Sequence, residues 1–385
     1  MDAASPGDTI RVAKGTYAED VVIGKSVALL GSGNGGTVID ARGLANGINV
    51  DGYGHPDLSH VIVRGFTVRN ANFQGIVVTN ASDVQISENR VTDNDKSLVI
   101  SSNAPPACPG LPDYFKDFEA LDCGEGIHLS GVTNSLVSDN VVDHNSGGIL
   151  VSDDTAPNHD NFITGNTVRD NPYDCSITLA THDLNPILGM PPKGVYRITV
   201  KGNTVSHNGL ASGEGAGVGI FAPTPGSQNF GNVVVGNYLI GNGLPGVTLH
   251  SHAPGQNVSG HLIANNTIVG NGPDAEGGSP VKTGILISAV TDTGDLLPIS
   301  GIQIVGNTFF GQATDIAVKT ANGGVAAHEN DFFDDTGVDN VGPTPIDATL
   351  NWWKCPKGPG GKGCADVSGS VQVAPVLDKP NTDHD

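Results

Sequence analysis

Apolar residues along this chain come in short runs such as VVI, GIVV, GILV and ITLA, each closed by glycine, asparagine or another small polar residue. Helical periodicity is almost absent, and runs this short bounded by turn residues read as strands. One pattern recurs, Asn-x-[Val/Ile/Leu]-x-x-Asn. It appears as NRVTDN (Asn89 to Asn94), NVVDHN (Asn140 to Asn145), NTVRDN (Asn166 to Asn171) and NTVSHN (Asn203 to Asn208). It continues as NYLIGN (Asn237 to Asn242) and NTIVGN (Asn266 to Asn271), with a degenerate NTFFGQ from Asn307. Between copies lies a second apolar strand, usually opened by glycine: GIVV, GIHL, GILV, SITL, GVGI, GVTL, GILI, DIAV.

Each such unit is too short to bury its own apolar side, so neighbours must stack to make the core continuous. The repeat predicts an all-β fold, a single-stranded parallel β-helix, or solenoid, with long loop insertions flanking one sheet. Right-handed winding follows from the crossover preference. Asparagine at a fixed place in each coil suits a turn with left-handed backbone, and stacked asparagines can hydrogen-bond along the ladder. We expect one domain over 1–385: an N-terminal cap and first coils in 1–60, central coils in 61–333 and a C-terminal cap in 334–385.

Aligning the glycine-led strands gives GIHLSGV from Gly126, GILVSDD from Gly148, SITLATHD from Ser176, GVGIFAP from Gly217 and GVTLHSHA from Gly246. Side chains alternate across a strand, so the second and fourth positions face the core and the third, fifth and seventh face outward. One outward column then holds His128, Leu150, Thr178, Gly219 and Thr248. The next holds Ser130, Ser152, Ala180, Phe221 and His250, and the last holds Asp154, His182 and His252. Asp153 and Asp183 lie alongside, in the turns. Insertions at about 95–124, 183–196, 272–283 and 290–298 flank the same strands, and would wall a groove floored by these columns.

Composition narrows the choice of function. The net charge is −21, with 19 Lys+Arg against 40 Asp+Glu and no clustered cations, which argues against nucleic acid as a partner. No apolar run is long enough to span a bilayer. The opening MDAASPGDTI has no basic and apolar leader, so any signal peptide is expected to be absent from this sequence. Cys108 and Cys123 bracket one loop and Cys355 and Cys364 another, which predicts two local disulfides with Cys175 left over. Disulfides imply a secreted or periplasmic protein.

The opening SPGDTIRVAKGTYAEDVVIGKSVALLGSG and the closing NWWKCPKGPGGKGC, with the coils between, resemble the secreted right-handed parallel β-helix repeat proteins of the pectate-lyase-like superfamily. That family includes lyases, hydrolases, esterases, epimerases and copper-chaperone relatives, so the resemblance implies the fold and leaves the reaction open.

The outward columns suggest acid–base cleavage of an extracellular polysaccharide by a monomer, with β-elimination preferred to hydrolysis. The catalytic candidates are His182, His252, Asp154 and Asp183. His128, Phe221, His250 and Thr178 are candidates for holding the sugar, with the Phe221 ring as a stacking platform. A lyase must neutralise a uronate carboxylate. The basic residues usual in β-helix lyases are missing from the floor, so Ca2+ on Asp153 and Asp154 would take that part. SDD and THD on successive coils resemble polygalacturonase-type sites, but no Gly-His-Gly or Arg-x-Lys follows. Two alternatives remain. One is a copper or zinc site on imidazole donors, with Asp154, His182 and His250 or His252 as the set able to meet one ion. The other is a carbohydrate-binding surface without catalysis.

Overall fold

A computed structural model describes residues 1–33, 35–112, 120–182, 194–291 and 293–381. Three long parallel sheets run the length of the chain. The first has thirteen strands, from Thr9–Arg11 to Val371–Gln372. The second has eleven, from Gly15–Tyr17 to Asp331–Phe332. The third has twelve, from Val21–Ile23 to Asp366–Gly369. Each coil gives one strand to each sheet and then moves on, which is the parallel β-helix that the repeat predicts.

The Asn-x-[Val/Ile/Leu]-x-x-Asn motif is one strand of the second sheet with the turn at each of its ends. Its central aliphatic residue, for example Val91, Val142, Val168 or Val205, is fully buried. Its first asparagine enters a ladder through Asn89, Asn140, Asn166, Asn203, Asn237, Asn266, Asn307, Asn330 and Asn351. Its second forms another, through Asn94, Asn145, Asn171, Asn208, Asn242 and Asn271. Each rung repeats one geometry. The Asn140 backbone N–H and side-chain Nδ2 both donate to Asn166 Oδ1 at 3.0 Å, and Nδ2 also donates to the Ile86 carbonyl at 2.9 Å. Buried turn groups that water cannot reach are thereby satisfied.

The left-handed backbone lies one residue earlier than expected. It falls on Glu88, Asp139 and Gly165 ahead of the first ladder, and on Asp93, His144, Asp170 and His207 ahead of the second. The ladder asparagines themselves keep ordinary backbone, because their task is hydrogen bonding. That places His144 and His207 in turns and away from the site.

The core is a stack of aliphatic residues. On the third sheet Ile127 and Leu129, Ile149 and Val151, Ile177 and Leu179, Val218 and Ile220, and Val247 and Leu249 lie one above another with almost no exposure. Full burial of each such side chain contributes roughly 1.5–3 kcal/mol. Both predicted disulfides are present, Cys108–Cys123 and Cys355–Cys364, and Cys175 is a buried free thiol. No helix among the described residues is long and apolar enough to cross a membrane.

Candidate active site on the third sheet

Strand pairing on the third sheet follows the alignment made from sequence. His128, Leu150, Thr178, Gly219 and Thr248 are successive partners, as are Ser130, Ser152, Ala180, Phe221 and His250. Register is therefore as expected, whereas exposure is not. His128, Ser130, Ser152, Thr178, Thr248 and His250 are all buried. Asp122 from the 95–124 insertion and Asp274 and Gly277 from the 272–283 insertion lie against these columns, so the face is a covered polar layer in place of an open groove floor. Thr178 and His128, expected to hold the sugar, are at most 5% exposed, a burial that His182 at 9% nearly shares. Phe221, the expected stacking platform, is half-buried. Its ring lies over Gly219, packs with the Cys175, Ala216 and Leu244 patch, and meets the His250 ring edge-on at 5.3 Å between centroids.

Two clusters of ionisable groups occupy the layer. The first centres on His182, at the end of strand Ile177–Ala180. Its Nδ1 lies 2.5 Å from Asp154 Oδ1, and its Nε2 lies 3.5 Å from Asp122 Oδ2. Asp122 arrives from the 95–124 insertion, just before Cys123 of the staple. On the other side, His128 Nε2 sits 2.8 Å from Ser152 Oγ and 3.5 Å from Asp154 Oδ2, and the Ser152 hydroxyl donates to that same oxygen. Burial opposes ionisation of Asp154, but the His182 and His128 imidazoles overcome it and hold the carboxyl well below the usual range. Burial moves the His128 pKa down and Asp154 only partly offsets this, which favours a neutral ring.

Asp122 also belongs to an acidic group with Glu125 and Asp174, their carboxylate oxygens within 4.8 Å of one another. Glu125 is 1% exposed, and neither of its oxygens has a hydrogen-bond partner. Burial, then the negative Asp174, pushes Glu125 well above the ordinary carboxyl range, and burial raises Asp174 as well. Burial and mutual repulsion thus favour the neutral form of Glu125 and, more weakly, of Asp174.

Asp153 differs from the expectation of a metal ligand. Its Oδ1 accepts the His182 backbone N–H at 2.9 Å and its Oδ2 accepts the Gly194 N–H at 2.6 Å. With Asp153 clasping backbone and Asp154 held by imidazoles, a Ca2+ on this pair would have to share oxygens that already accept hydrogen bonds. Asp183 lies outside the described residues.

The second cluster lies further along the helix. His250 Nε2 is 2.8 Å from Asp274 Oδ2, which also accepts the Thr248 hydroxyl at 2.8 Å, while Asp274 Oδ1 accepts the Gly277 N–H at 2.7 Å. His250 Nδ1 faces His252 Nε2 at 3.3 Å, and Glu276 joins them. His252 therefore belongs with His250 and Glu276. Among the described residues, Asp154 and His182 do not gather with either histidine into one donor set. Lys319, two coils on in the His250 column, donates its ammonium to the Gly278 carbonyl.

Sequence reasoning missed Asp122, Glu125, Asp174, Glu214, Asp274 and Glu276. Their one sequence signal is acidity close to a strand-opening residue, in LDCGEG and YDCS, or within an insertion, in GPDAEGG. A shallow concavity of about 830 Å3 lies elsewhere, on the second sheet beside Arg69, Glu88, Arg90 and Asp93. Its arginines pair with Asp40 and Asp143, and it touches neither cluster.

Residues 27–189 match the family described as right handed beta helix region, and residues 114–277 match the one described as periplasmic copper-binding protein (NosD). No curated protein matches the chain. Among solved structures, the chain is similar to the Dettilon tailspike protein (gp208) at 14% identity and a TM-score of 0.54, covering 95% of this chain. It spans only 61% of that tailspike's length. The A-module of the Azotobacter vinelandii mannuronan C-5 epimerase AlgE6 matches at 14% identity and a TM-score of 0.54, covering 97% of this chain and 91% of the module. The AlgE4 A-module from the same organism matches at 15% identity and 0.50, covering 95% and 88%. At such identities the likeness is one of fold. The chain is a right-handed parallel β-helix protein.

Proposed function

We propose that this protein is a carbohydrate-active β-helix enzyme that acts outside the cytosol, as a monomer, on a uronate-containing polysaccharide, with His182 as the proton-abstracting base. The observation that carries the reading is the His182 imidazole held by Asp154 at Nδ1, with its Nε2 side turned to Asp122, which is grouped with Glu125 and Asp174. A carboxylate on one ring nitrogen fixes the tautomer and raises basicity at the other, where Asp122 would give way to substrate. The AlgE4 and AlgE6 modules are named as mannuronan epimerases, which makes mannuronan the first polymer to try. Epimerisation and β-elimination of a uronate begin with the same abstraction of the proton beside its carboxylate.

Hydrolysis fits less well. Retaining and inverting glycosidases need two carboxyls about 5 Å or 6.5–9.5 Å apart with room for the sugar between them. Here Asp122, Glu125 and Asp174 are bunched, and the His182 ring stands between Asp122 and Asp154. The two disulfides and the description of one matched family as periplasmic support a location outside the cytosol. The copper or zinc alternative has its own donors in the second cluster.

The test is incubation with mannuronan and with pectate, following unsaturated ends by ultraviolet absorbance, reducing ends, and C-5 configuration by NMR. Elimination, with a loss of about 10²–10⁴-fold in His182→Ala and His182→Gln, is the expected result. Epimerisation with the same sensitivity would keep the base and change the product. Reducing ends without unsaturation, or full activity in both variants, would overturn the proposal.

A further inference from the structure

The second cluster has the parts of a metal centre. His250 and His252 lie two residues apart at the end of strand Val247–Ser251, so alternation turns both rings to the outer face. The facing nitrogens, His250 Nδ1 and His252 Nε2, are 3.3 Å apart. Two imidazole nitrogens bound to one tetrahedral ion at about 2.0–2.1 Å would stand about 3.3–3.4 Å from each other. Glu276, carried over the strand by the 272–283 insertion, brings a carboxylate oxygen within 4.8 Å of both.

The surroundings match those of ligating histidines. The nitrogen of His250 that faces away from His252 is held by Asp274, as the carboxylate behind a metal-bound imidazole usually holds it. Asp274 is itself fixed by the Thr248 hydroxyl and the Gly277 amide. His250 is buried, His252 half-buried and Glu276 exposed, so an ion would be anchored on the protein side and open to solvent on the other.

We infer that His250, His252 and Glu276 form a binding site for one copper(II) or zinc ion, with Asp274 as the residue that positions His250. Two imidazoles and one carboxylate suit these borderline ions, whereas Ca2+ and Mg2+ prefer all-oxygen cages. The site is separate from His182 and does not rest on the polysaccharide reading.

The experiment uses the full chain, stripped with chelator and dialysed, and titrates it by calorimetry with Zn2+, Cu2+ and Ca2+ in separate arms. One equivalent of Zn2+ or Cu2+ is expected, with nitrogen hyperfine structure from two imidazoles in the copper EPR spectrum. His252→Gln and Glu276→Gln change half-buried or exposed residues, and each should cut affinity while the thermal midpoint of the stripped protein stays put. Asp274→Asn should weaken binding about 10–100-fold. His182→Ala should bind as the parent does. Absence of a stoichiometric ion, preference for Ca2+, or several equivalents indifferent to His252→Gln would each overturn the assignment.

Discussion

Asp153→Asn isolates the contact that sets the position of His182. The Asp153 carboxylate receives two backbone N–H groups, from His182 at 2.9 Å and from Gly194 at 2.6 Å, the residues on either side of 183–193. An asparagine keeps one acceptor oxygen and turns an NH2 group toward the other N–H. One buried donor is then orphaned, which costs about 1–3 kcal/mol. Part of this is offset, because burial already disfavours the Asp153 charge more than the two amides restore it, so its pKa is raised. The net loss for Asn should therefore fall near the low end, about 1–2 kcal/mol, with Asp153→Ala costing about twice as much by orphaning both amides. The assay is equilibrium urea unfolding joined to amide hydrogen exchange read at His182 and Gly194. Both amides should lose protection in the variants, and activity on the polymer should fall with them because the 2.5 Å His182–Asp154 contact depends on that backbone. Unchanged protection at both amides, with a stability change under about 0.5 kcal/mol, would refute the reasoning.

Two more predictions concern the scaffold. Asn203→Ala takes the acceptor from the Asn166 N–H and the donor from the Ile163 carbonyl, so a loss of about 2–6 kcal/mol is expected in urea unfolding. The exposed Lys201→Ala on the same coil should stay within about 0.5 kcal/mol, and equal effects would sink the ladder account. Asp315 is fully buried with both oxygens unpartnered, and burial, then Asp334, pushes its pKa well up. The folded state thus keeps a proton that the unfolded chain releases above about pH 4, so this group's contribution to stability declines as pH rises from there to its raised folded pKa. Asp315→Asn should flatten that decline, the variant's advantage growing with pH in paired thermal melts. A constant difference across the range would contradict it.

Much of the fold was legible because its determinants repeat. The Asn-x-[Val/Ile/Leu]-x-x-Asn motif is one strand with a ladder asparagine at each end, and the glycine-led strands paired in the register their alternation implied. What alternation cannot report is what covers an outward residue. His128 and Thr248 face away from the core and are nevertheless buried, and Thr248 is met there by Asp274 from an insertion. Asp122, Asp274 and Glu276 come from insertions and have no period to betray them. Asp153 misled for a related reason: two adjacent aspartates look alike in sequence, yet one meets backbone amides and the other imidazoles. His250 and His252 were each weighed as a companion to Asp154 and His182, whereas in space the two stand together with Glu276.

The asparagine columns also give the molecule an electrical direction. In both, each rung donates one Nδ2–H to the Oδ1 of the asparagine in the coil that follows, while its own Oδ1 faces the coil before, from Asn89 through to Asn351 and from Asn94 through to Asn271. Amides aligned head to tail polarise one another and add their dipoles along the axis, negative toward the first coils and positive toward the last. A coil inserted within either column must therefore present an amide of the same sense, or it leaves the rungs on both sides of it without a partner.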